Sequence, residues 1–263
     1  MAYARLALAE ERATWLPLAV NGLAIPLLLT YFLTRIGDGG SDARVLAASR
    51  SGCLCLGGPM AQVGYLWLRD RFMRRAALLG TTSLSFDAYF CVRLSIATFE
   101  GLSLTLAVLL VLRAIGLPIA AGAVAVLLLA SAAAALALCS WSVCLAQRAT
   151  SVERGGLMVG LLSSALGVLS PAFLRSPLEA APPALWSYLS PYTTLASLFE
   201  AAARHAPLPW SALEWLLALS VLSALTARWL CTGSLGAPSL QGRRWSRSPQ
   251  GRRLSVRAEG GHQ

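Results

Sequence analysis

The feature that most constrains this chain is the alternation of apolar runs about twenty residues long with short polar islands that contain arginine. Hydrophobic residues occupy 56% of the 263 positions and charged residues only 13%, which is about half the charged fraction of a soluble globular domain. A run of about twenty apolar residues is long enough for one helix to cross the hydrocarbon core of a bilayer. The sequence therefore predicts an all-α integral membrane protein.

The apolar runs predict six transmembrane helices within residues 1–232 and a disordered, arginine-rich cytoplasmic tail over residues 233–263. The predicted spans are Ala13–Leu33, Val45–Leu68, Ala88–Leu112, Ile119–Leu145, Gly155–Leu174 and Ser211–Leu230. The second span is the least apolar, because Arg50, Pro59 and several glycines interrupt it.

Two groups of small residues predict contacts between helices. The fourth span contains the run Ser131–Ala135, and because small residues let neighbouring helices approach closely, we expect this span to lie inside the bundle. Gly156 and Gly160 form a G-x-x-x-G pair on the fifth span, which is a weak signal for a second packing face.

Arginine carries all of the Lys-plus-Arg charge, because the sequence contains no lysine. Cytoplasmic loops of membrane proteins are enriched in basic residues. Six spans with both termini cytoplasmic place most of the 22 arginines on that side, whereas five spans would move either the tail or the charged segment after the second span outside. The charge thus predicts an orientation in the membrane and contact with anionic membrane lipids, and no nucleic-acid partner is expected. The lysine-free usage rich in Ala, Leu and Arg suits a bacterial genome, so we expect a bacterial plasma membrane.

The charged island Leu66–Leu94 separates the second and third spans and is the most informative stretch of the chain. Arg71, Arg74 and Arg75 recur at helical spacing, and apolar side chains occupy the opposite face. This spacing predicts a short amphipathic helix over Arg69–Leu79 that lies on the cytoplasmic membrane surface.

A tight turn is expected after that amphipathic helix. Gly80 would end the helix, and the following turn, Thr81–Ser85, is rich in capping residues. Ser85 is the predicted N-cap of the next helix. Asp87 lies in the first turn of that helix, where a negative charge suits the positive end of the helix dipole.

The third span carries two charged residues, Arg93 near its start and Glu100 about two turns deeper. This separation places both residues on nearly the same face of a helix. An ionisable residue inside a span is costly and is a candidate for function, so one interpretation is a polar contact that lines a transport path. The alternative is that neighbouring helices satisfy both side chains.

Prolines with aromatic residues between them set the segment Arg175–Pro209 apart from the rest of the chain. The prolines divide it into apolar pieces too short to span, such as Ala184–Leu189 and Tyr192–Ala203. Apolar pieces with Trp and Tyr at their ends suit either the membrane interface or an external re-entrant hairpin before the last span.

The side chains needed for most kinds of catalysis are missing from the predicted spans. His205 and His262 both lie outside the spans, so no membrane protease and no metal site are expected. The six cysteines fall in or beside apolar runs and are interpreted as small buried residues. A P-loop requires lysine, so any ATP would be bound by another polypeptide. We expect no cofactor and no enzymatic activity of the chain itself.

Over about Thr14–Leu230 these features resemble the permease subunits of type-2 ABC transporters, which are mostly bacterial exporters. The segment Arg69–Arg93, RDRFMRRAALLGTTSLSFDAYFCVR, is similar to the cytoplasmic coupling region of the family. The segment Leu185–Leu195, LWSYLSPYTTL, is similar to its external re-entrant region. Two departures are visible: Ser83 stands where the family often has proline, and Asp70 is the single acidic residue of the island before the turn.

The resemblance implies that two permease subunits, identical or related, pair in the membrane and bind two ATP-binding cassette ATPase subunits. It also implies that the amphipathic helix and the turn transmit ATP-driven closure to the spans. The candidate coupling residues are Asp70, Arg71, Arg74, Arg75, Thr81 and Thr82. The cargo would be a hydrophobic or amphipathic molecule such as a drug, an antibiotic, a peptide or a lipid-like product.

Two other classes of protein stay open on the sequence alone. One is a non-transporting membrane protein, such as an immunity or assembly factor, in which the arginines only retain the island at the cytoplasmic surface. The other is a transporter driven by an ion gradient through Glu100. Secondary transporters often contain internal repeats, and no convincing repeat is visible here, which counts against that class. The direction of transport also stays open.

Overall fold

The structure, a computed structural model, describes residues 41–73, 85–114, 116–117, 119–168 and 190–235, together with positions 24, 28 and 31. All regular secondary structure in this part of the chain is helical. Its helices are α1 Ser41–Leu54, α2 Gly57–Phe72, α3 Phe86–Ala114, α4 Ala121–Arg148, α5 Val152–Val168, α6 Pro191–Ala203 and α7 Trp210–Leu235.

Three of these helices are long and apolar enough to cross a membrane: α3, α4 and the portion Trp210–Thr232 of α7. They coincide with the third, fourth and sixth predicted spans. The described part of the chain is therefore all-helical, and its long apolar helices are compatible with several passages through a membrane. The first predicted span, apart from positions 24, 28 and 31, and the tail after residue 235 lie outside the described residues.

The central helix of the described bundle is α4, which packs against α2, α3, α5, α6 and α7. Its middle is lined by small residues, and Ser131, Ala134 and Ala135 are buried. Because these side chains are short, neighbouring helices come close. A Cβ added at Gly101 of α3 would lie only 3.0 Å from the Cβ of Ala135. The prediction that this span packs inside the bundle is confirmed.

The second predicted span, Val45–Leu68, is wrong as a single continuous helix. The chain turns at Cys55 and Leu56, between α1 and α2. A glycine pair and Pro59 follow the turn, and proline fits the first turn of a helix because its missing amide would have no partner there. The two halves have different neighbours: α1 packs mainly on α6, whereas α2 packs on α4 and α5.

The start of the fifth predicted span forms α5, and residues 169–174 lie outside the described part. The contacts of α5 do not use the G-x-x-x-G pair. Within the described residues, no atom lies within 4 Å of a Cβ added at Gly156 or Gly160. The side chain of Leu68 lies instead against the neighbouring Gly155.

The short apolar piece predicted as Tyr192–Ala203 forms α6, which has Pro191 in its first turn and is buried on most sides. The helices α1, α4 and α7 surround it. This interior position does not place α6 relative to the bilayer, so the interfacial and the re-entrant alternatives both stay predictions. The helix ends in a Schellman motif in which His205 has a φ of 53°, a conformation for which glycine is the usual residue.

Two buried apolar clusters follow each other along α4. The first surrounds Leu127 and Leu138 and includes Phe199 of α6. The second surrounds Val143 and includes Trp67 of α2. This second cluster lies where α2 and α4 end and α3 begins, and it encloses the polar groups that form the candidate site.

Candidate functional site

Polar side chains meet where α2 and α4 end and α3 begins, and we call this set the basal cluster. Its members are Trp67, Asp70, Arg71, Tyr89, Arg93 and Gln147. The start of α3 is fixed by the predicted N-cap, because the Ser85 hydroxyl accepts a hydrogen bond from the backbone N–H of Ala88 at 3.2 Å. Tyr89 and Arg93 follow on one face of α3, since residues four apart in a helix are neighbours.

A buried ion pair is the core of the basal cluster. Arg93 Nη2 donates to Asp70 Oδ2 at 2.6 Å, and these side chains are only 3% and 4% exposed, respectively. The hydroxyl of Tyr89 donates to the same oxygen at 2.7 Å. The guanidinium carbon of Arg93 also lies 5.8 Å from the centre of the Tyr89 ring. Because a buried charge without its partner is very costly, these contacts hold α2 firmly against α3.

The end of α4 is held by two residues of α2 that are four positions apart. Arg71 Nη1 donates to three backbone carbonyls there, those of Ala146, Gln147 and Ala149, at 3.0, 2.6 and 3.0 Å. A helix end leaves such carbonyls unsatisfied, and a positive charge beside them also interacts favourably with the helix dipole. Trp67 Nε1 donates to the Gln147 side chain at 3.1 Å.

Aromatic rings cover the basal cluster on the side of α3. The centre of the Trp67 ring system lies 5.3 Å from that of Tyr89 and 6.0 Å from that of Phe90. Phe86 stacks on Phe90 with a centre-to-centre distance of 6.2 Å. Apolar rings around an ion pair lower the local dielectric and so strengthen the electrostatic contacts inside.

A second ion pair joins the beginning of α3 to the last part of α7 at the surface. Arg228 donates through Nε and Nη2 to the two carboxylate oxygens of Asp87, both at 2.8 Å. The two side chains are 53% and 51% exposed. An exposed pair of this kind typically contributes at most about 1 kcal/mol to stability. It aligns α7 with the basal cluster without being part of it.

Glu100, at the middle of α3, contacts a different residue of α2. Gln62 Nε2 donates to Glu100 Oε1 at 3.3 Å, and both side chains are partly exposed. Since α2 and α3 run antiparallel, this contact lies farther along the two helices from the charged island than the pair of Asp70 and Arg93. The helices α2 and α3 are thus joined by polar contacts at two levels along their length.

The predicted intramembrane pair, Arg93 and Glu100, does face one neighbouring helix, as the spacing predicts. The two residues have different partners on that helix, because Arg93 contacts Asp70 and Glu100 contacts Gln62. This arrangement agrees with the alternative in which neighbouring helices satisfy the two side chains.

The predicted coupling residues divide into two groups. Asp70 and Arg71 face α3 and α4 inside the bundle. Positions 69–72 continue α2, so the separate amphipathic helix predicted from Arg69 does not begin there. The other predicted coupling residues lie outside the described residues, as does most of the predicted amphipathic helix; they are Arg74, Arg75, Thr81 and Thr82.

Sequence reasoning missed two members of the basal cluster, Tyr89 and Gln147, and one buried acidic residue outside it, Glu200. Tyr89 lies four residues before Arg93, a helical spacing that could have indicated a shared partner. Glu200 is fully buried on α6 and accepts a hydrogen bond from Arg204 at 3.1 Å. The acid–base spacing of four residues was visible in the sequence, but the prolines around it pointed to an interfacial piece. Nothing in the sequence indicated that Gln147 would meet α2.

The contacts of the basal cluster hold three helices together, α2, α3 and α4. Its groups are a paired acid and base, a capping guanidinium and hydrogen-bonding side chains. In the described part of the chain, no three His, Cys, Asp or Glu side chains lie close enough to hold a metal ion.

All six cysteines are free thiols; Cys91 is exposed and Cys144 is partly buried. The prediction of buried cysteines is therefore wrong for Cys91.

No protein-family model, no curated protein and no solved structure matches this chain. The resemblance to type-2 ABC permeases therefore depends on the sequence patterns, and the function has to be argued from the geometry of the basal cluster.

Proposed function

We propose that this chain is the membrane-spanning subunit of an ATP-driven ABC transporter, powered by a separate ATP-binding subunit that docks at the charged island. The observation that carries the proposal is the position of the basal cluster, whose members on α2 and α3 lie at the two ends of that island, on either side of residues 74–84. The last turns of α2 are bonded to α3 through Asp70 and to α4 through Arg71. A displacement of residues 74–84 would therefore act on two membrane-spanning helices at once.

The end of α2 also offers groups suited to docking. Phe72 and Met73 are exposed, and Arg74 and Arg75 follow them in the sequence. Apolar groups beside basic ones suit a surface groove lined with acidic residues, because complementary charge favours association. Since Asp70 and Arg71 are engaged inside the bundle, we assign them to transmission and assign docking to Arg74, Arg75 and the turn that contains Thr81 and Thr82.

The proposed architecture has six spans with both termini cytoplasmic in a bacterial plasma membrane. In this architecture α3, α4 and α7 are three of the spans, α1 and α2 form a broken second span, and α6 belongs to an external re-entrant segment. Two such permease subunits, identical or related, would pair in the membrane. The proposed direction is export, and the proposed cargo is hydrophobic or amphipathic.

A gradient-driven transporter is the second candidate, and the partly exposed carboxylate of Glu100 at the middle of α3 favours it. A carboxylate in the middle of an apolar helix is costly and is often part of an ion path, and this one is partly exposed. If an ion gradient drives transport through Glu100, then Glu100→Gln abolishes gradient-driven movement of a fluorescent amphipathic cation in membrane vesicles. Unaltered gradient-driven movement in that variant removes this candidate.

Purification of the chain from its native membrane in a gentle detergent tests the ABC proposal. Mass spectrometry of the co-purifying proteins should identify an ATP-binding subunit in stoichiometric amount, and the complex should hydrolyse ATP in a vanadate-sensitive reaction. The double substitution R74Q/R75Q should lower the recovery of that subunit. The matched control is R113Q, which removes an exposed arginine at the opposite end of α3 and should leave recovery unchanged. A chain that reproducibly purifies without any nucleotide-binding protein contradicts the proposal.

A further inference from the structure

Polar side chains lie in the groove between α2 and α3 on the exposed side of these helices, and we call this set the polar seam. Its members are Gln62, Tyr65, Glu100 and Ser103. Gln62 Nε2 donates across the groove to Glu100 Oε1 at 3.3 Å. Tyr65 and Ser103 follow these two residues by three positions on their own helices, a spacing that makes side chains neighbours on a helix surface. Gln62 and Glu100 are partly exposed, and Tyr65 and Ser103 are exposed, so the seam is open to the surroundings of the bundle.

The outer face of α7 has a different composition, which is the one that lipid tails require. The exposed side chains between Trp215 and Leu225 are all aliphatic: Leu217, Ala218, Val221 and Leu222. An ionisable side chain inside a membrane span, in contrast, almost always faces the interior of the protein or a water-filled cavity. The carboxylate of Glu100 therefore indicates that the polar seam faces water, whereas this part of α7 faces lipid.

Ala218 on α7 lies at nearly the same level of the bundle as the polar seam. The connection runs through α4: Ala135 lies beside Gly101 of α3, and Trp141, six residues after Ala135, donates to Ser223 Oγ of α7 at 2.9 Å. Since α4 and α7 both run towards the basal cluster and Ala218 precedes Ser223 by five residues, the two surfaces are at matching heights. Their difference in polarity is thus not a difference in depth.

The polar seam offers one negative charge beside aromatic rings. Tyr65 is 49% exposed, and Phe99, the neighbour of Glu100 in the chain, is 68% exposed. Cations are attracted to the faces of aromatic rings, and this is the usual way in which proteins recognise quaternary ammonium groups. A small metal cation prefers several oxygen ligands, and no group of three acidic, His or Cys side chains is present among the described residues. The seam therefore fits a bulky organic cation better than a metal ion.

We propose that the polar seam is a water-accessible site that binds the cationic group of an amphipathic cargo, with the carboxylate of Glu100 as the counter-charge. Gln62 orients that carboxylate through its hydrogen bond, and Tyr65 supplies an aromatic surface beside it. The inference rests on the proposed function in treating the bound cation as cargo. Binding itself requires neither nucleotide nor an ion gradient.

The first test asks whether water reaches the polar seam in native membranes. The variants S103C and A218C are treated with a cationic and an anionic methanethiosulfonate of similar size. The tryptic peptides 94–113 and 205–228 contain no native cysteine, so mass spectrometry assigns the label to the new thiol. We expect position 103 to react, about tenfold faster with the cationic reagent, and position 218 to react with neither. The preference for the cationic reagent should disappear in S103C/E100Q. An unreactive thiol at position 103, or equal rates with the two reagents, overturns the proposal.

The second test measures binding of tetraphenylphosphonium, a bulky organic cation, and of tetraphenylborate, an anion of nearly the same shape. Equilibrium dialysis is carried out on the full chain, with the subunits that co-purify with it, in a nonionic detergent and without nucleotide. The wild type should bind the cation more tightly than the anion, and E100Q should weaken binding of the cation about tenfold or more. E100D keeps the charge and should stay within about threefold of the wild type. The control D87N removes an exposed carboxylate outside the seam and should bind as the wild type does. Equal affinity for the two ions, or wild-type binding of the cation in E100Q, overturns the proposal.

A phosphocholine lipid headgroup also carries a bulky cation, so the binding test includes dihexanoylphosphatidylcholine as a competitor. This lipid should not displace tetraphenylphosphonium at equal concentration, and displacement would assign the seam to lipid and overturn the assignment to cargo. The outcomes also separate this inference from the proposed function. If either test of the seam fails, the inference falls and the proposed docking at the charged island stands. If no ATP-binding subunit accompanies the chain, the proposed function falls whatever the seam binds.

Discussion

Replacing Asp70 by asparagine tests how strongly the buried ion pair holds α2 to α3. The pair spans 2.6 Å between Arg93 Nη2 and Asp70 Oδ2, and the side chains are only 3% and 4% exposed. At an effective dielectric constant of about 20, that distance corresponds to a Coulomb attraction of about 6 kcal/mol, most of which is offset by the cost of removing both charges from water. The asparagine side chain would keep the size and one acceptor oxygen but would remove the carboxylate charge that pairs with the buried arginine, for which we expect a loss of about 3–5 kcal/mol in the free energy of unfolding.

The measurement is a reversible unfolding titration with sodium dodecyl sulfate in mixed micelles, carried out on the wild type and the three variants that complete a double-mutant cycle. D70N and R93M should each be strongly destabilised, and D70N/R93M should lose at least about 2 kcal/mol less than the sum of the two, because no unpaired charge is left. D87N is the control, since it removes a carboxylate from an ion pair that is about half exposed, and it should be nearly as stable as the wild type. Additive single substitutions, or a D70N variant as stable as D87N, would refute the reasoning.

Three further predictions concern local geometry and are checked by the same unfolding titration. Ser85→Ala should cost about 1 kcal/mol, because it removes the N-cap of α3, and a wild-type midpoint would show that the cap is not needed. His205→Gly should stabilise the protein by about 0.5–1 kcal/mol, because glycine adopts the φ of 53° without strain; a loss of stability would mean that the imidazole makes a contact that outweighs the strain. Gly64→Ala should cost about 1–3 kcal/mol, since its new Cβ would overlap Ser142 Oγ, whereas Gly122→Ala, where no described atom lies within 4 Å, should be neutral.

The long helices could be predicted from the sequence because a single property, a run of apolar residues, determines them. The N-cap Ser85 and the first-turn Asp87 were equally accessible, since capping depends on residues close together in the chain. The interior position of α4 followed from Ser131–Ala135 by the same reasoning, because small residues have few uses in a span other than close packing.

The break between α1 and α2 was harder to predict. The apolar content of Val45–Leu68 suits one span, and Gly57 and Pro59 are residues that can either weaken a span or end it. The outcome depends on tertiary contacts, since α1 and α2 pack on different partners. Hydropathy does not contain that information.

The composition of the basal cluster depends on pairings between residues far apart in the sequence. Helical periodicity placed Arg93 and Glu100 on one face, but it could not say that Asp70 would meet the first and Gln62 the second. The same limit explains Arg71. Its spacing with Arg74 and Arg75 indicated a common surface, whereas its position at the end of α2 brings it to the carbonyls of α4.

The most direct test of the proposed function is site-specific photo-crosslinking in the native membrane. A photoreactive amino acid replaces Met73, which is 61% exposed at the end of α2, or, as a control, Leu110, which is 60% exposed near the opposite end of α3. After irradiation, the cross-linked products are purified and identified by mass spectrometry. The proposed docking at the charged island predicts a cross-link from position 73, and none from position 110, to a nucleotide-binding protein. Cross-links from position 73 to lipid alone, or to proteins without a nucleotide-binding site, would contradict it.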